Sequence, residues 1–165
     1  MKEVYSDNIF LLASGPSQAI CITTNAICKK DGSAVLGKAE GKKADELYHI
    51  SGKLGKYLKK YGNRAFDLGL YSGYGEKEHH VLTFPTKYNW WDNADIRLIK
   101  KSAEEIVRIC DHRKIKKCFL PPVGSINNDL DYESIVKPVL SKILDNRFIV
   151  VLEKEKDGKS VKVGN

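Results

Sequence analysis

Lys87 is set apart by its neighbours. It lies in FPTKYNWW (84–91), between the strand-like run HHVLTF and the chain's only two tryptophans. An amine in that position either snorkels to solvent, as most lysines do, or meets a ligand. GSAVLGKA (32–39) comes within one residue of the phosphate loop G-x-x-x-x-G-K-[ST]. Ala39 stands where the magnesium-binding hydroxyl must be, and the loop does not follow its strand directly, which argues against a nucleoside triphosphatase. What survives is a glycine loop before a helix, whose backbone N–H groups suit a phosphate. Asn25, at the end of TTN, has an amide suited to a ribose hydroxyl. An asparagine that merely ends a strand is the alternative.

Other chemistry-bearing residues take plainer readings. His79 and His80 alternate faces of a strand with no third ligand at metal spacing, so a surface pair is expected. NNDLD (127–131) has calcium-like oxygens but lacks the glycine and terminal glutamate of an EF-hand, so a turn and helix cap are expected. Tyr88, Trp90 and Trp91 are expected in the core or at an interface. Cys21, Cys28, Cys110 and Cys118 form no C-x-x-C pair and are read as reduced, buried thiols. Neither a metal nor a cofactor is expected.

These residues need elements to hold them. AICITT (19–24) reads as a buried strand, followed by an irregular glycine-containing loop over 28–41. Ala44, Leu47, Ile50, Leu54 and Leu58 recur at spacings of three and four, predicting one amphipathic helix over 42–61. AFDLGLY and HHVLTF predict two strands joined by the turn YSGYGEKE. Asp92 or Asn93 is the expected cap of a helix carrying Ile96, Ile99, Ala103, Ile106 and Cys110 on one face. KCFLP predicts a short strand, GSINNDLD a polar loop, YESIVKPVLSKILD a helix bent at Pro138, and RFIVVLE a last buried strand. Strands alternating with helices predict an α/β/α sandwich around a largely parallel or mixed sheet. In such sheets ligands collect beyond the carboxyl ends of strands, where TTN, FPTK and LPPVGSINN all fall.

Composition sets the outer bounds. The chain has 165 residues, 42% hydrophobic and 30% charged, which fits one globular domain over 1–152 with a tail or terminal hairpin over 153–165. No apolar run reaches membrane-spanning length and MKEVYSDNIF has no signal-peptide core, so a cytoplasmic protein without a membrane partner is expected, working as a monomer. The net charge of +7 favours an anionic partner, a phosphate-bearing ligand or a nucleic acid, although the lysines are dispersed.

In this order and spacing, TTNAICKKDGSAVLGKA, FPTKYNWW and LPPVGSINNDLDYESIVKPVL resemble macrodomains, ADP-ribose-binding modules with a three-layer α/β/α fold. FPTK followed by aromatic residues is most similar to the branch that removes ADP-ribose from nucleic acid or acidic side chains, including antitoxins that reverse DNA ADP-ribosylation. The resemblance implies that Lys87 is catalytic, near the anomeric carbon, as a nucleophile or by electrostatic stabilisation. It implies a ligand-binding set of Asn8, Ile9, Asn25, Val35, Gly37, Lys38, Gly124, Ser125, Ile126, Asn127 and Asn128. Backbone around Gly37 and Ser125–Asn127 would hold the diphosphate, Asn25 the distal ribose, and Asn8 would take the place of the acidic residue that reads adenine. The partner implied is ADP-ribose or an ADP-ribosylated macromolecule, with a hydrolase, a non-catalytic reader and a basic nucleic-acid binder as the three functional readings. The sequence departs from the family at Ala39, Ile126, Asn128 and Asp129, where glycines, or an aspartate at the third of these, are usual. Asp129 adds negative charge beside the expected diphosphate.

Overall fold

Side chains alternate across a strand, so each buried strand must feed two apolar layers. The computed structural model describes residues 1–75, 77–126 and 129–153. Its strands are β1 (Lys2–Tyr5), β2 (Gln18–Thr24), β3 (Asp67–Tyr71), β4 (His79–Pro85), β5 (Lys117–Leu120) and β6 (Phe148–Leu152). They form a mixed sheet in the order β1-β6-β5-β2-β4-β3, parallel throughout except for the antiparallel β3–β4 pair. Ile20 and Ile22 of β2, with Ile149 and Val151 of β6, face a layer made by α1 (Glu40–Tyr48) and α2 (Ser51–Tyr61). Cys21, Phe148 and Val150 face the other layer, made by α3 (Ile96–Arg113) and α4 (Lys137–Ser141). The result is the expected three-layer α/β/α sandwich. Each fully buried Ile, Leu or Phe contributes about 1.5–3 kcal/mol against exposure.

The helices correct several expectations. The single helix over 42–61 is two, because His49 adopts a left-handed conformation (φ 53°) and the Asp45 carboxylate accepts the Ser51 N–H at 2.9 Å, starting α2 afresh. Periodicity survives such a break, since Ala44, Ile50, Leu54 and Leu58 all remain buried. Asp95, and neither Asp92 nor Asn93, caps α3, accepting the Arg97 N–H at 2.9 Å, while Asp92 closes the turn with Asn89. The helix expected around Pro138 is a π-helical turn over Tyr132–Val136 running into the short α4. Pro138 has no N–H to give the Ser134 carbonyl, which prevents a regular α-helix there. Lys2–Tyr5, given no element from sequence, forms the edge strand β1. Its residues are all exposed, so no apolar pattern marks them.

The histidines are not a surface pair. His79 is 2% exposed and its Nε2 lies 2.9 Å from the Tyr48 hydroxyl; burial lowers its pKa and favours the neutral ring. His80 meets Asp67 at 3.0 Å, and Asp67 also pairs with Arg113 at 3.2 Å. Cys21, Cys110 and Cys118 are buried free thiols as expected, with the Cys21 and Cys118 sulfurs 3.4 Å apart, but Cys28 is exposed on the glycine loop. No described helix is long and apolar enough to cross a membrane. The tail's expected hairpin over Asp157-Gly158 lies outside the described residues.

The glycine loop is pressed onto α2 at one point. A Cβ on Gly55 would come 1.9 Å from the Gly32 carbonyl oxygen, so only glycine allows the contact. Gly55→Ala is expected to cost about 1–3 kcal/mol by overpacking. Gly52→Ala, in the same helix and with nothing within 4 Å, is expected to stabilise slightly, by about 0.5–1 kcal/mol. Denaturant unfolding of both variants checks the opposite signs.

Candidate functional site

Past their last paired residues, β2 and β4 stay tied. The Thr86 N–H donates to the Thr24 carbonyl at 3.1 Å and the Ala26 N–H to the Tyr88 carbonyl at 2.8 Å. β5 enters the same edge from the other side of β2 and turns at Pro121-Pro122 into the 124–130 loop. The loops that follow these three strands surround a cleft of about 570 Å³. Thr24 and Asn25, the 35–41 loop, Thr86, Lys87 and Trp90, and Gly124, Ile126 and Asp129 all line it.

The 35–41 wall is rich in free donors. Asn25 fixes its base, its amide nitrogen donating to the Val35 carbonyl at 3.0 Å and its oxygen accepting the Ile27 N–H at 2.9 Å. Among the described residues the backbone N–H groups of Leu36, Gly37, Lys38 and Ala39 donate to no acceptor. α1 begins there with Ala39 as its N-cap and no side-chain cap, so its positive end is also open to the cleft. Successive free N–H groups at a helix N-terminus form an anion-binding concavity. On the facing wall Gly124 has φ 79°, and a Cβ there would sit 2.5 Å from the Ile99 side chain, so this loop position requires glycine.

Lys87 does not snorkel freely. Its side chain is 16% exposed and its Nζ lies 3.2 Å from Oδ2 of Asp129, itself 13% exposed. The same oxygen accepts the Ala94 N–H at 3.1 Å, which pins the carboxylate from the start of the α3 segment. Asn63 holds the Lys87 carbonyl at 3.2 Å. An exposed ion pair is worth little, whereas a largely desolvated one fixes the position of both charges. Tyr88, Trp90 and Trp91 are 52%, 55% and 61% exposed, so the core reading fails for all three. The two tryptophans meet edge to face at 5.3 Å at the cleft mouth, where Trp90 reaches its lining.

Of the residues picked out from sequence, Asn25, Val35, Gly37, Lys38, Lys87, Gly124 and Ile126 come together on the cleft. Asn8 and Ile9 do not line it. Asn8 caps a 3-10 turn by accepting the Phe10 N–H at 3.0 Å, and Ile9 is 4% exposed in the core. Ser125 is fully buried behind the wall, its N–H bonded to the Pro122 carbonyl at 3.1 Å. Asn127 and Asn128 lie outside the described residues. Sequence reasoning missed Glu40 and Thr86 as cleft residues and Asp129 as the partner of Lys87. An acidic residue in a loop expected to meet an anion was the signal for Asp129, since such a charge needs a cation nearby. Among the described residues no cluster of His, Cys, Asp and Glu could hold a metal ion.

No protein-family model and no curated protein matches the sequence. Solved structures do match by shape. The macrodomain of Thermus aquaticus DarG superposes with a TM-score of 0.68 at 17% identity, over 92% of this chain and 98% of that one. The macrodomain of Mycobacterium tuberculosis DarG gives 0.67 at 20%, over 90% and 96%. Thermosipho africanus DarTG, solved in complex with ADP-ribose, gives 0.71 at 20%, covering 94% of this chain but 42% of that longer one. The chain has the macrodomain fold.

The Lys87–Asp129 pair generates a stability test. Asp129→Ala leaves the Ala94 N–H and a largely buried ammonium without partners and is expected to cost about 1–3 kcal/mol. Asp129→Asn, which keeps an acceptor for Ala94, is expected to cost less. Thermal and denaturant unfolding of the two variants measure the difference.

Proposed function

We propose that the cleft binds ADP-ribose, free or attached to a nucleic acid or protein, and that Lys87 takes part in its removal. The observation that carries this is the convergence of three strand-end loops on one cleft whose 35–41 wall offers unpartnered backbone donors. A cleft of about 570 Å³ falls within the range of about 300–1,000 Å³ usual for small-molecule sites. The shared fold with the ADP-ribose-bound Thermosipho protein supports the ligand. The diphosphate would lie between the 36–39 donors and the backbone at Gly124 and Ile126. Asn25, whose amide keeps one N–H and one lone pair beyond its two loop bonds, would meet the distal ribose.

For hydrolysis, water adds to the anomeric carbon while the bond to the base or carboxylate breaks; its electrons leave with that group, and the water's surplus proton passes to that group or to solvent. A nucleophilic lysine must be neutral. An ion pair is a contact of the charged amine, so the geometry supports the electrostatic role, with the ammonium offsetting negative charge on the leaving group. The same pair favours a second reading. An ammonium already neutralised by Asp129 suits a module that holds ADP-ribose without turning it over. This reading takes residues 1–152 as one domain acting as a monomer. The free thiols of Cys21, Cys28, Cys110 and Cys118 support a reducing, cytoplasmic setting.

Calorimetry with ADP-ribose and ATP tests the ligand, and amide shifts locate it. ADP-ribose is expected to bind and to move signals of residues 35–41 and 124–130; no movement at millimolar ligand would sink the proposal. Lys87→Ala is expected to leave affinity nearly intact. Release of ADP-ribose from modified DNA or protein, followed by mass spectrometry, should fall on the order of a hundredfold or more. Undiminished release by Lys87→Ala removes Lys87 from the chemistry, and no release by the parent protein selects the binding-only reading.

A further inference from the structure

Among the described residues two carboxylates line the cleft, and they are treated differently. Asp129 is offset by Lys87 and by the Ala94 N–H. Glu40, the first residue of α1, lies against the 36–39 donors, and among the described residues its side chain has no hydrogen-bond or ion partner. Lys43, one turn along α1, is drawn elsewhere: its Nζ stands 5.9 Å from the Phe10 ring and 5.4 Å from the Tyr74 ring. Lys38 on the loop is exposed, and Lys87 across the cleft is taken by Asp129. Burial raises the Glu40 pKa, Glu153 beyond β6 raises it further, and Lys43 lowers it only in part.

An ionised carboxylate in this place opposes the anion that the surrounding backbone attracts, and partial desolvation strengthens the repulsion. A protonated one becomes a donor to a phosphate oxygen. We propose that Glu40 makes ligand binding proton-linked, the cleft taking up a diphosphate dianion together with one proton. The inference rests on the reading that the cleft holds a diphosphate. It adds a specificity-determining residue to that site and a direction of pH dependence. The bound anion favours the protonated carboxyl beyond what burial does, so affinity must rise as pH falls through the interval between the bound and free pKa values.

ADP-ribose is the probe, because its diphosphate does not titrate between about pH 5 and 8. Calorimetric titrations across that range, in two buffers of different ionisation heat, read affinity and proton uptake together. The expected result is affinity rising as pH falls, by at most about tenfold per unit, with uptake of up to about one proton. Glu40→Gln is expected to flatten the profile, abolish the uptake and bind more tightly than the parent at the high-pH end. Its melting temperature is expected at or above the parent's, because the raised pKa means that the ionised carboxylate opposes folding. Binding that is independent of pH and unchanged by Glu40→Gln overturns the inference while leaving the ligand reading intact. A requirement for magnesium without proton uptake also overturns it, by assigning Glu40 to a bridging cation. No binding by either protein at any pH overturns the ligand reading and this inference with it.

Discussion

β2 is hydrogen-bonded in parallel to β4 on one side and to β5 on the other, so all three chains leave the sheet at one edge. The register runs Ile20 level with Val81 and with Phe119, and Thr24 level with Pro85. Parallel strands cannot be joined by tight hairpins, and each must be followed by a crossover on one face. The irregular segments that begin those crossovers are therefore forced together. The bonds Thr86–Thr24, Ala26–Tyr88 and Asp95–Thr86 then extend the pairing into the loops and hold their first residues nearly as firmly as strand. Lys87 owes its position to this extension, lying one residue past Thr86 in a segment whose backbone is bonded on both sides.

On that frame the cleft sorts its charges. The proposed anion site needs donors, and backbone N–H groups supply them without the entropy of a long side chain. α1 contributes by what it lacks, since a serine or aspartate at position 39 would fill the donors that Ala39 leaves open. Lys87 is held by Asp129, which surrenders part of its attraction for a ligand in exchange for a fixed geometry. Both ends of that pair are anchored to backbone, Lys87 through its own carbonyl and Asp129 through Ala94. Glu40 stands against the prevailing sign and carries the site's sensitivity to protons.

The cleft's rim has a different character. Tyr88, Trp90 and Trp91 follow Lys87 directly and are more than half exposed. Large aromatic side chains left in water beside a basic residue are costly for solubility and suited to contact with a flat or apolar partner surface. Turn closure by Asn89 and Asp92 fixes the backbone beneath them, so their exposure is a property of the folded loop.

The layers are legible in the sequence, because the continuous apolar runs of β2 and β6 mark strands covered on both faces and the three-four spacing over 44–58 and in α3 marks the helices that cover them. The sequence also marked Asn25, the glycine loop and Lys87, since strand ends, glycines and an isolated lysine are legible in one dimension, while Gly124 came from the resemblance to macrodomains. The break at His49 was hidden because its cause, Asp45 reaching forward to Ser51, leaves the apolar spacing unchanged. β1 was hidden because an edge strand with exposed side chains has no period to read. The burial of His79 depended on Tyr48, thirty-one residues away, and the neutralisation of Lys87 on Asp129, forty-two residues away. Such pairings belong to tertiary structure alone: a side chain's charge and exposure are set by whatever the fold places against it, and no local pattern records that neighbour.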